Sequence, residues 1–243
     1  WPMQAKPESI AKFTHIPDRQ RRVLAAMVSE LDDGVGRILG AVRQAGIEER
    51  TLIVFLSDNG GDRGATPRSS PGAKFDYGTN SSFNDPCRDR KGTVHEGGIR
   101  VPFLAQWKGR LPAGTVYDRP VISLDLAATA LAAATGRIET TWQLDGVDLL
   151  PYLAGEVKTD PHPALFWRYQ WPEPDTARSG KAVRMGDWKL VSTGLGPWRL
   201  YDLATDIGET NDLAGAQGER VATMTAAWEG WNAQLAAPRW RPE

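Results

Sequence analysis

The tightest constraint on the fold is Thr51-Leu52-Ile53-Val54-Phe55-Leu56, followed at once by Ser57-Asp58-Asn59-Gly60-Gly61. A run with almost no polar atoms reads as a strand buried on both faces, as in a parallel sheet. The chain then turns at two glycines and presents a carboxylate and an amide oxygen side by side. In open α/β sheets, ligands bind at the carboxyl ends of the strands. Adjacent hard oxygens at such an edge suit Ca²⁺ or Mg²⁺ better than a soft metal. Asp-Asn-Gly-Gly is also good chemistry for an ordinary Asx turn. On these residues alone the turn is the simpler reading.

The flanking sequence builds an α/β unit around that strand. Asp18 is placed to cap a helix. After it, Val23, Met27, Leu31, Val35, Ile38 and Val42 recur at three- and four-residue steps, one apolar face, and Gly46 ends the helix. Gly34-Val35-Gly36-Arg37-Ile38-Leu39-Gly40 has the glycines of a dinucleotide loop at the wrong spacing and inside a helix, so it is not one. Residues 62–90 form a long polar loop, of a length that goes with function or disorder. Beside a metal site it is placed to line a pocket. Asn80-Ser81-Ser82 within it matches a glycosylation sequon, a triplet common by chance.

Val101–Trp107 predicts another buried strand. Ser123 opens an alanine-rich helix over 124–134, ended by Gly136, and Leu149–Leu153 predicts a short helix or turn. From about residue 162 the pattern changes to short strands: Leu165–Arg168, Ala182–Met185, Trp188–Val191 and Trp198–Tyr201. Gly186-Asp187 suits a hairpin turn. A last helix carries Val221, Met224, Trp228, Trp231 and Leu235 on one face. The expected fold is α/β with a small C-terminal α+β subdomain, an antiparallel sheet packed by a helix.

Composition excludes several classes. At 243 residues, 41% hydrophobic and a net charge of −1, the chain is globular, and no basic excess points to nucleic acid. No apolar run reaches the roughly 18 residues of a membrane span. A single cysteine rules out an internal disulfide framework. Ten tryptophans, clustered in the last third, read as core or interface fillers.

A second segment, Lys91-Gly92-Thr93-Val94-His95-Glu96-Gly97-Gly98-Ile99-Arg100-Val101-Pro102, changes the weight given to the first. A strand ending in Asp-Asn-Gly, then a Lys several residues before Glu-Gly-Gly-x-Arg-x-Pro, resembles the C-terminal half of a type I sulfatase of the alkaline phosphatase superfamily. The likeness extends to Trp1-Pro2-Met3-Gln4-Ala5, to Leu144-Asp145-Gly146-Val147-Asp148-Leu149-Leu150, and to Val183-Arg184-Met185-Gly186-Asp187-Trp188-Lys189-Leu190. The resemblance implies that residues 1–160 are the C-terminal part of the catalytic α/β domain. Residues 161–243 would be the small antiparallel subdomain.

The resemblance also implies a sulfate ester hydrolase that works through formylglycine and Ca²⁺. Sulfatases carry the nucleophile in a C/S-x-P-x-R motif in the N-terminal half. Cys87 is followed by Arg88-Asp89-Arg90, and neither Ser69 nor Ser70 fits the motif, so the nucleophile is not in this chain. The family's catalytic His-x-Pro turn would place its histidine just before Trp1. The expectation is a fragment: inactive by itself, poorly soluble because strand 51–57 loses its neighbours, and periplasmic or secreted in its parent.

Within that frame, Asp58 and Asn59 are expected Ca²⁺ ligands. Lys91 is the expected sulfate-binding and catalytic cation, against the plainer reading of a solvated lysine in a basic run. His95 is a candidate proton donor or substrate contact, with a structural histidine equally in play. Arg168, beside Trp167, is a candidate substrate contact on the subdomain. Glu96 and Arg100 are expected to form a structural ion pair or backbone hydrogen bonds, not to take part in catalysis. His15 receives no role. The partner is a sulfated small molecule or carbohydrate. Two alternatives remain: a noncatalytic relative that binds anionic glycans, and a phosphatase or phosphonate hydrolase of the same superfamily. The latter is disfavoured because His15, His95 and His162 lack zinc-ligand spacing.

Overall fold

Helix formation begins where the sequence places its cap. The computed structural model describes residues 3–62, 82–170 and 179–237. After a short helix α1 (Pro7–Ala11), the Asp18 carboxylate accepts the Arg21 N–H at 2.6 Å and opens α2 (Arg19–Gln44). Gly46 follows the helix at φ +65°. The chain then enters β1 (Ile53–Leu56), which pairs antiparallel with β2 (Phe103–Gln106), Ile53 facing Gln106 and Leu56 facing Phe103.

This corrects the expectation of a strand buried on both faces of a parallel sheet. Among the described residues β2 is the only strand bonded to β1. Side chains patterned for burial are therefore covered on one side alone, and Phe55 and Leu104 stay exposed. Leu31, Val35 and Leu39 of α2 line one cleft with Phe55 and Leu104, and Leu31 is 56% exposed. The sequon at Asn80 and most of the 62–90 loop lie outside the described residues.

A small helix, α3 (Glu96–Ile99), precedes β2, and α4 (Asp125–Thr135) follows it, ended by Gly136 at φ +78°. Ser123 does not cap α4. No side chain caps this helix; the Asp125 carboxylate in its first turn instead accepts the Ile122 and Val147 N–H groups, both at 2.9 Å, and meets His162 Nε2 at 2.8 Å. A carboxylate that ties three segments satisfies more donors than a serine hydroxyl can. The next helix, α5 (Leu150–Leu153), is the short turn expected there.

The C-terminal part is a four-stranded antiparallel meander of β3 (Leu165–Tyr169), β4 (Gly180–Met185), β5 (Trp188–Thr193) and β6 (Arg199–Asp202). Gly186 turns the β4–β5 hairpin at φ +59°, a region where a side chain would be strained. Strand residues alternate between two buried faces. Val183, Leu190 and Leu200 pack against Met224 and Trp228 of α6 (Gly218–Asn232). Phe166 stacks on Trp231 with centroids 5.2 Å apart, and Trp198 meets Trp228 edge-on at 5.8 Å, so the tryptophans fill this core as expected. On the opposite face Ala182, Val191, Tyr201 and Leu203 pack against Val94, from the loop that carries Lys91. One sheet thus has a helix on one side and the candidate site loop on the other.

Candidate functional site

The site grows from the end of β1. Ser57 Oγ donates to the Asn59 carbonyl at 2.8 Å, and Asn59 Nδ2 donates to the Gly60 carbonyl at 2.9 Å, a self-bonded turn. The Asp58 side chain stands exposed at its tip. Gly60 is buried and donates its N–H to the Gly98 carbonyl at 2.9 Å. A Cβ at Gly60 would lie 1.8 Å from the Gly97 oxygen, so only glycine lets the two backbones touch. Gly97 and Gly98 are equally hemmed in, their Cβ positions 2.4 Å from the Arg88 and Thr93 carbonyls respectively.

Next to this contact the Lys91 N–H reaches the Gly61 carbonyl at 3.2 Å. Asn84 completes the seam: its Oδ1 accepts the Gly61 N–H and its Nδ2 donates to the Gly61 and Asp89 carbonyls. The two sequence motifs that bracket the long loop therefore meet backbone to backbone. The Lys91 side chain is exposed beside the Asp58 turn.

His95 is 4% exposed, and its Nδ1 sits 2.7 Å from Asp89 Oδ2. The imidazole and the carboxylate face each other at ion-pair distance, with the bond poorly aligned. The hydrogen bond from His95 holds the Asp89 carboxyl below its ordinary value against the opposing effect of burial. Because the folded value is depressed, the stabilisation is present above the ordinary carboxylate range of about 3.9 and is lost as pH falls through the folded value. An Asp89→Asn variant should melt below the parent protein at neutral pH, and the gap should close in acid. A gap independent of pH in melting curves would contradict that assignment.

Glu96 is buried, and its partner is not chiefly Arg100. Oε1 meets Lys189 Nζ at 2.8 Å, while Arg100 Nη1 lies 3.5 Å from Oε2. Lys189 is wholly buried on β5, and its ammonium also meets Glu209 Oε1 at 2.9 Å. Glu209 Oε2 accepts the Glu96 N–H at 2.7 Å. Burial pushes the Glu96 carboxyl up, but the Lys189 charge and hydrogen bond outweigh it, and the group ends below its ordinary value. The structural role expected for Glu96 stands: Arg100 keeps the ion pair and donates its N–H to the Glu96 carbonyl at 2.7 Å, with Lys189 as the nearer cation.

Lys189, Glu209 and Asn84 were absent from the sequence-based assignment. A lysine inside the apolar run Trp188–Val191 was the one available signal, since a strand buried on both faces gives a cation no solvent. Nothing local marks Glu209 or Asn84.

Arg168 is half-buried on β3. It donates to Asn232 Oδ1 and the Ala236 carbonyl, both at 2.8 Å, tying β3 to the end of α6. Cys87 is half-buried, and burial, helped by the Glu96 carboxylate, pushes its thiol up, away from the thiolate that a nucleophile needs.

Asp58 and Asn59 offer hard oxygen donors that fit Ca²⁺ in kind. They fall short in number: among the described residues no three His, Cys, Asp or Glu side chains group to hold a metal. Ca²⁺ takes about six to eight oxygens, so the remaining donors of such a site must come from elsewhere.

Comparison with known proteins identifies the family. Residues 2–136 match the Sulfatase family model, and residues 89–228 match N-sulphoglucosamine sulphohydrolase, C-terminal. Human arylsulfatase A is 35% identical over 208 residues, covering 76% of this chain and 38% of that protein. The chain thus spans well under half the length of this curated relative. The crystal structure of Ps i-CgsB in complex with k-i-k-neocarrahexaose superposes with a TM-score of 0.86 at 31% identity, covering all of this chain and 50% of that one. The structure of BT4656 in complex with its substrate D-glucosamine-2-N,6-O-disulfate shares the fold, with a TM-score of 0.64 at 22% identity over 88% of this chain and 40% of that one. The strand-end turn and the glycine-rich loop locked against it stand inside a family match that runs across the β1–β2 pair and α4, and the chain belongs to the sulfatase family.

Proposed function

We propose that the protein carrying this chain hydrolyses sulfate esters with formylglycine and Ca²⁺. Residues 1–160 would contribute to its catalytic α/β domain and residues 161–243 would form the small subdomain. The observation that supports this best is the direct docking of the Asp58-Asn59-Gly60-Gly61 turn on the Lys91–Gly98 loop. These backbone contacts bring the segments that carry Asp58, Asn59 and Lys91 together, which supports the reading.

In this reading Asp58 and Asn59 hold the cation, whose charge offsets that of the sulfate oxygens. Lys91 is the mobile point charge that binds the ester. His95, 2.7 Å from Asp89, is the candidate proton carrier or substrate contact. The nucleophile is supplied outside this chain. A sulfated carbohydrate is the favoured substrate class, supported by the glucosamine disulfate bound to a protein of the same fold. The family resemblance also favours a periplasmic or secreted setting.

The test compares the full-length protein with its Asp58→Ala and Lys91→Ala variants on an aryl sulfate, with and without Ca²⁺. Asp58→Ala should lower Ca²⁺ affinity and turnover by about tenfold or more. Lys91→Ala should cost about 10²–10³ in kcat/KM, as loss of a preorganised charge contact does. Unchanged turnover in both would discard the reading. Turnover by residues 1–243 alone would show that the nucleophile had been misplaced.

A further inference from the structure

Lys189, Glu209 and Arg88 do no chemistry in the reading above, yet they are among the most tightly bonded groups in the protein. Lys189 and Glu209 are both fully buried. Arg88 Nη1 donates to the Glu209 carbonyl at 2.8 Å and to the Tyr201 hydroxyl at 3.3 Å. Glu209 adopts φ +51°, which a residue with a side chain rarely takes, and it is held there by contacts on its carbonyl and both carboxylate oxygens. A buried ion cluster of this kind adds little net stability compared with apolar side chains of the same volume. What it does supply is fixed geometry.

That geometry leads directly to the candidate site. Lys189 and Glu209 grip Glu96 at both its side chain and its N–H. The next residue, Gly97, donates to the Arg88 carbonyl at 2.7 Å, and Gly98 accepts from Gly60 at 2.9 Å. Gly60 follows Asn59 immediately, and Gly61 accepts from Lys91 at 3.2 Å. The glycine contacts leave no room for slack at any step. From the sheet to the Asp58 turn, each link is a backbone hydrogen bond or a buried ion pair.

We propose that Lys189, Glu209 and Arg88 are positioning residues: through Glu96 they lock the Lys91 loop and the Asp58-Asn59 turn in one arrangement, so that the C-terminal sheet sets the site's affinity for cation and sulfate ester. This rests on the assignment of Asp58, Asn59 and Lys91 made above. The cluster touches neither ligand; it acts by removing alternative positions of the groups that do.

The experiment measures Ca²⁺ binding by titration calorimetry, turnover of an aryl sulfate, and melting temperature for the full-length protein. The variants are Arg88→Gln, Glu209→Gln, Lys189→Met and Lys189→Arg, with Asp58→Ala alongside. Arg88→Gln and Glu209→Gln should weaken Ca²⁺ binding by about tenfold, the usual scale for residues that orient ligands, and should lower kcat. Lys189→Arg, which keeps the charge, should recover part of what Lys189→Met loses. If Asp58→Ala abolishes Ca²⁺ binding while folded Arg88→Gln and Glu209→Gln proteins bind Ca²⁺ and turn over substrate like the parent, the cluster is structural only and the positioning role is wrong. If Asp58→Ala itself leaves Ca²⁺ affinity intact, the metal assignment fails first. Arg88 is only half-buried, so its variant decides the matter should the buried substitutions fail to fold.

Discussion

A Lys189→Met variant should lose about 3–5 kcal/mol of stability, the cost of removing one partner from a buried ion pair. The ammonium is the shared cation of two carboxylates, Glu96 at 2.8 Å and Glu209 at 2.9 Å. Methionine matches its length and leaves both acids without it. Arg100, 3.5 Å from Glu96, offers partial compensation to one of them, but its side chain is largely exposed and screened. For a chain of this size the loss corresponds to a fall in Tm of roughly 6–20 °C. The triple variant Glu96→Gln, Lys189→Met, Glu209→Gln should recover much of it, because no uncompensated charge then remains buried. A single variant that melts within about 2 °C of the parent, less than 1 kcal/mol on the same scale, would show that the cluster is hydrated or its partners neutral.

Gly60→Ala should be of comparable severity, for a steric reason rather than an electrostatic one. The new methyl would sit 1.8 Å from the Gly97 oxygen and 3.1 Å from the Gly98 Cα. Both belong to backbone that is itself hydrogen-bonded, Gly97 to the Arg88 carbonyl and Gly98 to the His95 carbonyl, so neither retreats freely. Overpacking costs about 1–3 kcal/mol where side chains can yield, and here the cost should reach or exceed the upper end. The hydrogen bond from Gly60 to Gly98 would be lost with it. Gly36→Ala is the matched control. It lies in α2 with nothing within 4 Å of its Cβ position, and should stabilise the protein by about 0.5–1 kcal/mol. Equal and small effects at the two positions in a chemical melt would contradict the close approach of the two turns.

The helices, strands and turns were largely legible from sequence because each rests on local chemistry. The cap at Asp18, the glycine stops at 46 and 136 and the hairpin at Gly186 are bonds or φ values within a few residues. The apolar face of α6 and the alternation of β4–β6 are periodicities of the chain itself. The ties from Asp125 to Val147 and His162 were not legible, because both partners lie beyond any local window.

The candidate site divides along the same line. Asp58, Asn59 and Lys91 stand out in sequence through the order of the motifs that carry them, and Gly60 of the first motif does meet Gly97 and Gly98 of the second. By itself the sequence determined which segments are helix, strand and turn, which side chains are patterned for burial, and the motifs that mark the family. Tertiary structure alone decided that β1 pairs antiparallel with β2, that Arg168 ties down α6, and that Glu96 answers to Lys189 and Glu209. Those last partners are 93 and 113 residues away. A buried charge is satisfied by whatever the fold brings within about 3 Å of it, and sequence separation carries no record of that distance.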